Sequence, residues 1–324
     1  MMTPTQEMNA HYTQTTPAQK DELTFTIAQD HSGERLDLAL AGLLPEHSRN
    51  RIKQWIESGF VRVNQKPVLP KTKVLTGDVI WVAPPVEPHA LNLPQDHEIF
   101  IVDETEGYLI IDKPAGVTVH PGAGNPDHTL LNALLFHRPM LANLPRAGIV
   151  HRLDKDTGGL MVVAKTETMH TALVRALANR TVKREYTALV WGDFPRDAVI
   201  EAPIGRHPKD RVKMAVVSRG KPARTHVFVQ QRWGRVTLIT CRLETGRTHQ
   251  IRVHCAAMGH PLVGDPVYGK TTVVKDAPDA LKTFKRQALH ATRLAFSDPV
   301  SGENREWVSP LPEDFAALLA FAQK

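Results

Sequence analysis

"GIVHRLDKDTGGLMVVAKT" (residues 148–166) sets His151, Arg152, Asp154, Lys155 and Asp156 in one short loop. Gly158 and Gly159 follow, and then the apolar run 160–164. An apolar run entered from a Gly-Gly step predicts a buried strand. The charges therefore stand at the mouth of a strand that will not move. Three bland or familiar explanations fit poorly. Counted as an EF-hand, Asp154, Asp156, Gly158 and Gly159 take positions one, three, five and six. Position twelve is then Lys165, a cation where a bidentate glutamate is required. A kinase catalytic loop fails because Leu153 interrupts His-Arg-Asp and no Gly-rich phosphate loop precedes it. A surface ion-pair loop is the commonest fate of such a cluster. It does not explain why the charges abut a buried strand. A carboxylate held on a rigid base beside arginines, whose charge keeps it ionised when partly desolvated, is a sound design for a nucleophile.

The rest of the chain sets bounds on what that loop serves. It has 324 residues, 42% hydrophobic, enough for two domains with real cores. A formal charge of +6 suits a nucleic-acid partner without requiring one. The cysteines are Cys241 and Cys255 alone, too few for a disulfide framework or a four-cysteine zinc site, so a reducing cytoplasm is expected. The sixteen histidines form no HExxH motif. No run of about 18 apolar residues occurs, so no membrane span is expected, and the N-terminus lacks the apolar core of a signal peptide.

Residues 1–23 are Thr-, Gln- and Pro-rich and predict a disordered tail. Residues 24–83 predict a small basic α/β domain. Leu36, Leu40, Leu43 and Leu44 fall at helical spacing. A second helix is expected to start at an N-cap Ser48, bury Ile52, Trp55 and Ile56, and stop at Gly59. Short strands follow, with turns at Asn64-Gln65 and Gly77-Asp78. Four prolines mark 84–97 as a semi-extended linker. Residues 98–324 carry numerous short strands, partly joined by hairpin-length loops, with helices over 167–180 and 248–258. That pattern predicts an α+β unit built on a mixed, mostly antiparallel sheet.

The two small helices followed by "GFVRVN" and "GDVIWV" resemble an S4 RNA-binding domain. The loop with which we began resembles the His-Arg-Leu-Asp signature of the pseudouridine synthases that modify ribosomal RNA. "REYTALVWG" and "LETGRTHQIRVHCAAMGHPLVGDPVYG" are similar to that family's later motifs, and "IIDKPAGVTVHP" to its opening one. The family usually carries Ser or Thr where this chain has Gly158, so that position is assigned no role.

The resemblance implies that Asp154 is the catalytic aspartate, Tyr186 the tyrosine packed on the target base, and Arg252 the arginine that pairs with the aspartate. His151 and Arg152 would approach the RNA. Arg247 is an alternative partner for Asp154, or a phosphate contact. Arg35, Arg49 and Lys53 of the S4 helices are expected to grip phosphates. His249 and His254 lie five apart, off one helical face, and are expected to be an RNA-facing or structural pair. The implied reaction breaks the N1–C1′ bond of a uridine and makes a C5–C1′ bond. It needs no metal and no cofactor. The implied substrate is 23S ribosomal RNA, at several uridines of one stem-loop at the intersubunit bridge, served by a monomer that supports ribosome assembly. Attack at C1′, attack at C6 and a glycal route all remain open for Asp154. The competing functions are a synthase acting on another rRNA or tRNA site, and a non-catalytic RNA-binding assembly protein.

Overall fold

The computed structural model describes residues 22–44, 49–83, 93–122, 124–210, 213–269 and 277–323. The tail over 1–21, the Ser48 cap and most of the proline-rich segment lie outside the described residues. The chain divides into two compact units, 1–91 and 92–324.

The first unit consists of β1 (Leu23–Thr26), α1 (Leu36–Leu43), α2 (Arg49–Glu57), β2 (Val61–Val63), β3 (Lys66–Pro67) and β4 (Val79–Val82). The strands pair antiparallel in the order β1-β4-β2-β3. Asn64 and Gln65 both adopt left-handed φ, 49° and 65°, as a two-residue hairpin turn matched to strand twist demands. Leu36, Leu40, Leu44, Ile52, Trp55 and Ile56 pack with Val61, Ile80 and Val82 into the unit's core.

Asp37, in the first turn of α1, is also buried. Arg35 binds it through Nε and Nη2 at 2.9 and 3.0 Å, and Arg49 through Nε and Nη2 at 3.0 and 2.8 Å. These two arginines, expected as phosphate contacts, neutralise a buried carboxylate, which would be costly to leave unpaired, while their own side chains stay partly exposed. Lys53 lies 3.5 Å from Glu57 one turn away on the exposed face of α2, a pairing of little energetic weight.

The second unit runs β5 (Phe100–Glu104), β6 (Tyr108–Lys113), α3 (Leu130–His137), β7 (Gly158–Ala164), α4 (Glu167–Ala178), β8 (Lys183–Trp191), β9 (Ala198–Glu201), β10 (Ile204–Arg206), β11 (Met214–Val216), β12 (Arg224–Arg232), β13 (Val236–Leu243), α5 (Gln250–Ala257), α6 (Asp279–Thr283), β14 (Leu289–Ser297), β15 (Asn304–Val308) and α7 (Glu313–Ala322). Its main sheet has the order β5-β6-β7-β14-β8-β13-β12-β9, with β15 added to β14. The β7–β14 pairing is parallel, and every other pairing in this sheet is antiparallel. It is the mixed, mostly antiparallel sheet of an α+β protein.

Residues 93–97, expected in the linker, are tied to this unit. Gln95 N–H donates to Asn132 O, Asn132 Nδ2 to Leu93 O, and His137 Nε2 contacts His97 O.

β7 is buried along its whole length, as a central strand covered on both faces should be. Met161 and Val163 join Leu109, Ile111 and residues of α3 and α5 on one face. Leu160 and Val162 join Tyr108, Ile110, Met169 and Leu173 on the other, under α4. The split follows the two-residue period of a strand. Of the two glycines that open β7, Gly159 is sterically required and Gly158 is closely packed. A Cβ on Gly159, whose φ is +115°, would lie 2.3 Å from Ala291 O on β14. One on Gly158 would meet Lys113 O at 3.2 Å and His290 Nδ1 at 3.3 Å. The loop before β7 is therefore held at the centre of the sheet, where β14 inserts between β7 and β8.

Candidate active site

The approach to β7 is strained. Arg146, Ala147 and Gly148 are consecutively left-handed, with φ of 54°, 52° and 77°. For two non-glycine residues such a run costs on the order of 1 kcal/mol or more each and persists only where the surroundings enforce it. Buried Ala147 and Ile149 anchor it from within, and Arg146 is left exposed at the pocket mouth.

Farther along, His151 turns inward. Its Nε2 accepts a hydrogen bond from Val162 N–H at 3.1 Å, and its Nδ1 is buried. Burial, aided by the charge of Arg184, lowers its pKa to about 3, so the ring is neutral and braces the loop against β7. Its Nε2 is thereby taken, while the ring still lines the cavity. Arg152 is exposed on the pocket rim.

From beneath, Lys113 holds the loop. It is 1% exposed, and its Nζ donates to Pro114 O, Val117 O and Lys155 O at 2.8, 2.8 and 3.0 Å. On the far side, Gln287 Nε2 donates to Thr157 Oγ1 at 3.0 Å. These clamps hold the chain just after Asp154, and the His151–Val162 hydrogen bond holds it just before.

Asp154 opens onto a cavity of about 470 Å³ lined by the loop, by Arg184 and Tyr186 of β8, and by residues 243–252. The volume lies in the range of small-molecule sites. Arg252, on α5, brings Nη1 to 3.0 Å from Asp154 Oδ2. The same guanidinium is locked from behind by Asp265, which accepts from Nε at 2.7 Å and from Nη2 at 2.9 Å. Asp265 in turn accepts from the backbone N–H groups of Val267 and Tyr268 at 2.9 and 3.0 Å. Burial opposes the charge of Arg252. The hydrogen bonds and field of Asp265, and then of Asp154, outweigh it and hold the guanidinium more firmly protonated than a free arginine. Tyr268 completes the clamp, with the Arg252 guanidinium 5.2 Å from its ring centre.

Of the two arginines considered as partner for Asp154, Arg252 is therefore the one against it. Arg247 instead donates its Nε to Pro222 O at 3.0 Å. Tyr186 is 6% exposed on β8, and burial raises the pKa of its hydroxyl, so it presents a neutral ring to the cavity. The two histidines of α5 part company. His254 is fully buried, bonded to Thr225 Oγ1 and Ala202 O at 2.9 and 3.0 Å. His249 Nε2 stands 4.0 Å from Asp154 Oδ1, and its Nδ1 contacts Tyr268 Oη at 2.9 Å. Burial lowers the pKa of His249, so next to the carboxylate it is a neutral hydrogen-bonding group.

Sequence reasoning does not single out Asp265, Lys113, Arg184 or Gln250. Gln250 is 3% exposed and ties the 245–247 loop to β12: its Oε1 accepts from Thr245 Oγ1 and Arg247 N–H, and its Nε2 donates to Arg224 O and Thr225 Oγ1. Each nevertheless had a signal in a motif quoted above: Lys113 in "IIDKPAGVTVHP", Arg184 in "REYTALVWG", and Gln250 and Asp265 in "LETGRTHQIRVHCAAMGHPLVGDPVYG".

A carboxylate paired with an arginine at the wall of a nucleotide-sized cavity, with a neutral aromatic ring nearby, can attack an electrophilic carbon of a base or sugar that enters from outside. Residues 107–257 match the RNA pseudouridylate synthase family, and residues 34–80 match the S4 domain. The chain is 52% identical to the ribosomal large subunit pseudouridine synthase D of Nitrosomonas europaea, over 93% of this chain and 88% of that one. It is 50% identical to the protein of the same name from Escherichia coli, over 93% of this chain and 94% of that one. Among solved structures, human RNA pseudouridylate synthase domain containing 1 superposes with a TM-score of 0.52 at 30% identity, covering 66% of this chain and 84% of that one. The chain belongs to the RNA pseudouridylate synthases, with an S4 domain ahead of the catalytic unit, and is an isomerase of uridine in RNA.

Proposed function

We propose that this enzyme converts uridines of 23S ribosomal RNA to pseudouridine, several of them in the stem-loop at the intersubunit bridge of the large subunit. The observation that carries the catalytic part is the Asp154–Arg252–Asp265 chain. It holds one carboxylate at the cavity wall and locks its counter-charge from behind. Asp154 is the nucleophile, Tyr186 stacks on the flipped base, and Arg252 is the counter-charge of Asp154. Base stacking on the tyrosine contributes roughly 1–3 kcal/mol. Arg152 and Arg247 contact RNA at the rim. The names of the relatives support the large-subunit substrate. A hairpin loop suits the chemistry, because its bases are already partly unstacked and cost less to flip. The enzyme works in the cytoplasm, as a monomer, without metal or cofactor, and supports assembly of the large subunit. Among the described residues no helix is long and apolar enough to cross a membrane.

Mapping pseudouridine across total RNA of a deletion strain, and of the same strain complemented with the gene, tests the substrate. The bridge stem-loop is expected to lose its pseudouridines and regain them. If it keeps them while another rRNA or a tRNA position loses its modification, the substrate assignment is wrong and the chemistry stands.

Removing residues 1–84 is expected to weaken RNA binding and flatten its salt dependence. Each lost phosphate contact lowers the log–log slope by about 0.7 to 0.9. Removing residues 1–23 alone is expected to change neither. Binding titrations between 50 and 200 mM salt measure both, and an unchanged slope after loss of the S4 unit refutes its phosphate-gripping role.

A further inference from the structure

Arg184 is the anomaly in the cavity wall. It is 8% exposed, and its Nε is buried without a hydrogen-bond partner. It lies two residues before Tyr186 on β8, on the same face of the strand, and lines the same cavity. Room for its guanidinium is left by a glycine: a Cβ on Gly246 would come within 3.0 Å of Arg184 Nη1.

Of the neighbouring cations, Arg146 and Arg152 are exposed to solvent at the cavity mouth, and the others are paired within the fold. Arg180 pairs with Glu244 at 2.8 Å, Arg247 donates to Pro222 O, and Arg252 binds two carboxylates. Among the described residues Arg184 has neither an ion pair nor a hydrogen bond. Its positive charge acts on both His151 and Tyr186, with which it lines the cavity.

A buried guanidinium without a counter-ion carries a large desolvation penalty, and proteins pair or hydrate such groups. A fold that keeps one beside its reactive carboxylate gains from an anion that arrives only with the substrate. RNA brings one such group wherever it binds. A nucleotide that leaves the stack carries its flanking phosphodiesters into the mouth of the site, and the planar fork of arginine matches phosphate oxygens in pairs.

We infer that Arg184 is the binding site for a phosphodiester flanking the flipped uridine, and that this contact seats the nucleotide against Asp154. The inference rests on the enzyme acting on RNA as proposed above. It adds a residue that positions the reacting nucleotide through its backbone rather than through its base.

The test uses the full-length enzyme and a synthetic stem-loop built around whichever uridine the deletion strain loses, so that an error in the substrate assignment does not carry over. Methylphosphonates replace the flanking phosphates one at a time, which removes charge at one oxygen and leaves the base intact. For the wild type, one replacement is expected to lower single-turnover kcat/KM by about 10- to 100-fold, the range of a charge-assisted contact. Arg184→Met is expected to show a similar loss on the unmodified RNA and no further loss at that phosphate. Arg184→Lys, which keeps the charge without the fork, is expected to fall between. Arg184→Met is also expected to melt at or above the wild-type temperature, because it removes an unpaired buried charge; a purely structural arginine would lower it. Three results overturn the inference: a wild type insensitive to every flanking methylphosphonate, an Arg184→Met enzyme as sensitive as the wild type to the same one, or Arg184→Met turnover equal to wild type. If Arg184→Met does not fold, the wild-type and Arg184→Lys comparison across the methylphosphonate series decides it alone.

Discussion

Asp154→Asn lowers pseudouridine formation by at least about 10³-fold, while RNA affinity stays within about threefold of wild type. Asparagine has the shape of the carboxylate, and its amide oxygen still accepts from Arg252 Nη1, a contact that spans 3.0 Å in the native enzyme. The loop keeps its clamps, because Lys113 and Gln287 hold backbone or Thr157 atoms and not the Asp154 side chain. What is lost is the negative charge and the nucleophilic oxygen. The three candidate routes, through C1′, C6 or a glycal, all need an ionised carboxylate, so the expectation does not depend on which is followed. Single-turnover conversion of a stem-loop RNA, with binding measured in parallel, reads both quantities. A stable, folded Asn variant that still turns over removes Asp154 from the role of nucleophile.

Arg252→Met carries the largest effect on stability. It strands Asp265, whose side chain is fully buried, with only the backbone N–H groups of Val267 and Tyr268 for partners. Breaking a buried ion pair from one side costs about 3–5 kcal/mol. It also removes the counter-charge of Asp154, so activity falls with stability. The double variant Arg252→Met/Asp265→Leu separates the two effects. Replacing a whole buried pair with apolar groups is often neutral or stabilising, so the melting temperature is expected to recover most of the loss. Turnover is not expected to recover, because Asp154 still lacks its partner. Denaturant melts and single-turnover rates on the three proteins measure this, and recovery of activity in the double variant would show that Arg252 acts only through folding.

The elements of this protein were largely legible because their signals are local. The apolar run after Gly159 reads as a buried strand from its own composition, and β7 is buried at every position. Spacing within single helices places Leu36, Leu40, Ile52 and Ile56 in the core of the S4 unit, where they lie. The charged loop before β7, the tyrosine of β8 and the arginine of α5 could be named from the sequence as residues of one site, and they line one cavity.

Which charges are free was not legible. Arg35 and Arg49 look like surface cations on their own helices, yet both close on Asp37, a partner that only the packing of α1 against α2 supplies. His151 and His249 are alike in the sequence. A hydrogen bond from β7 turns one inward, and the start of α5 sets the other beside Asp154. Arg184 and Arg180 lie four residues apart, but Glu244 reaches only Arg180. The sequence by itself determined most of the strands and helices, because periodicity and turn residues act over a few positions; the S4 unit and the residues of the site were implied by resemblance to known families. The tertiary structure decided between Arg252 and Arg247 as the partner of Asp154, bringing Arg252 to it across 98 residues, and it alone placed Asp265 behind that arginine. Those partners are set by β14 inserting between β7 and β8 and by where α5 docks on the sheet, long-range choices that no local pattern encodes.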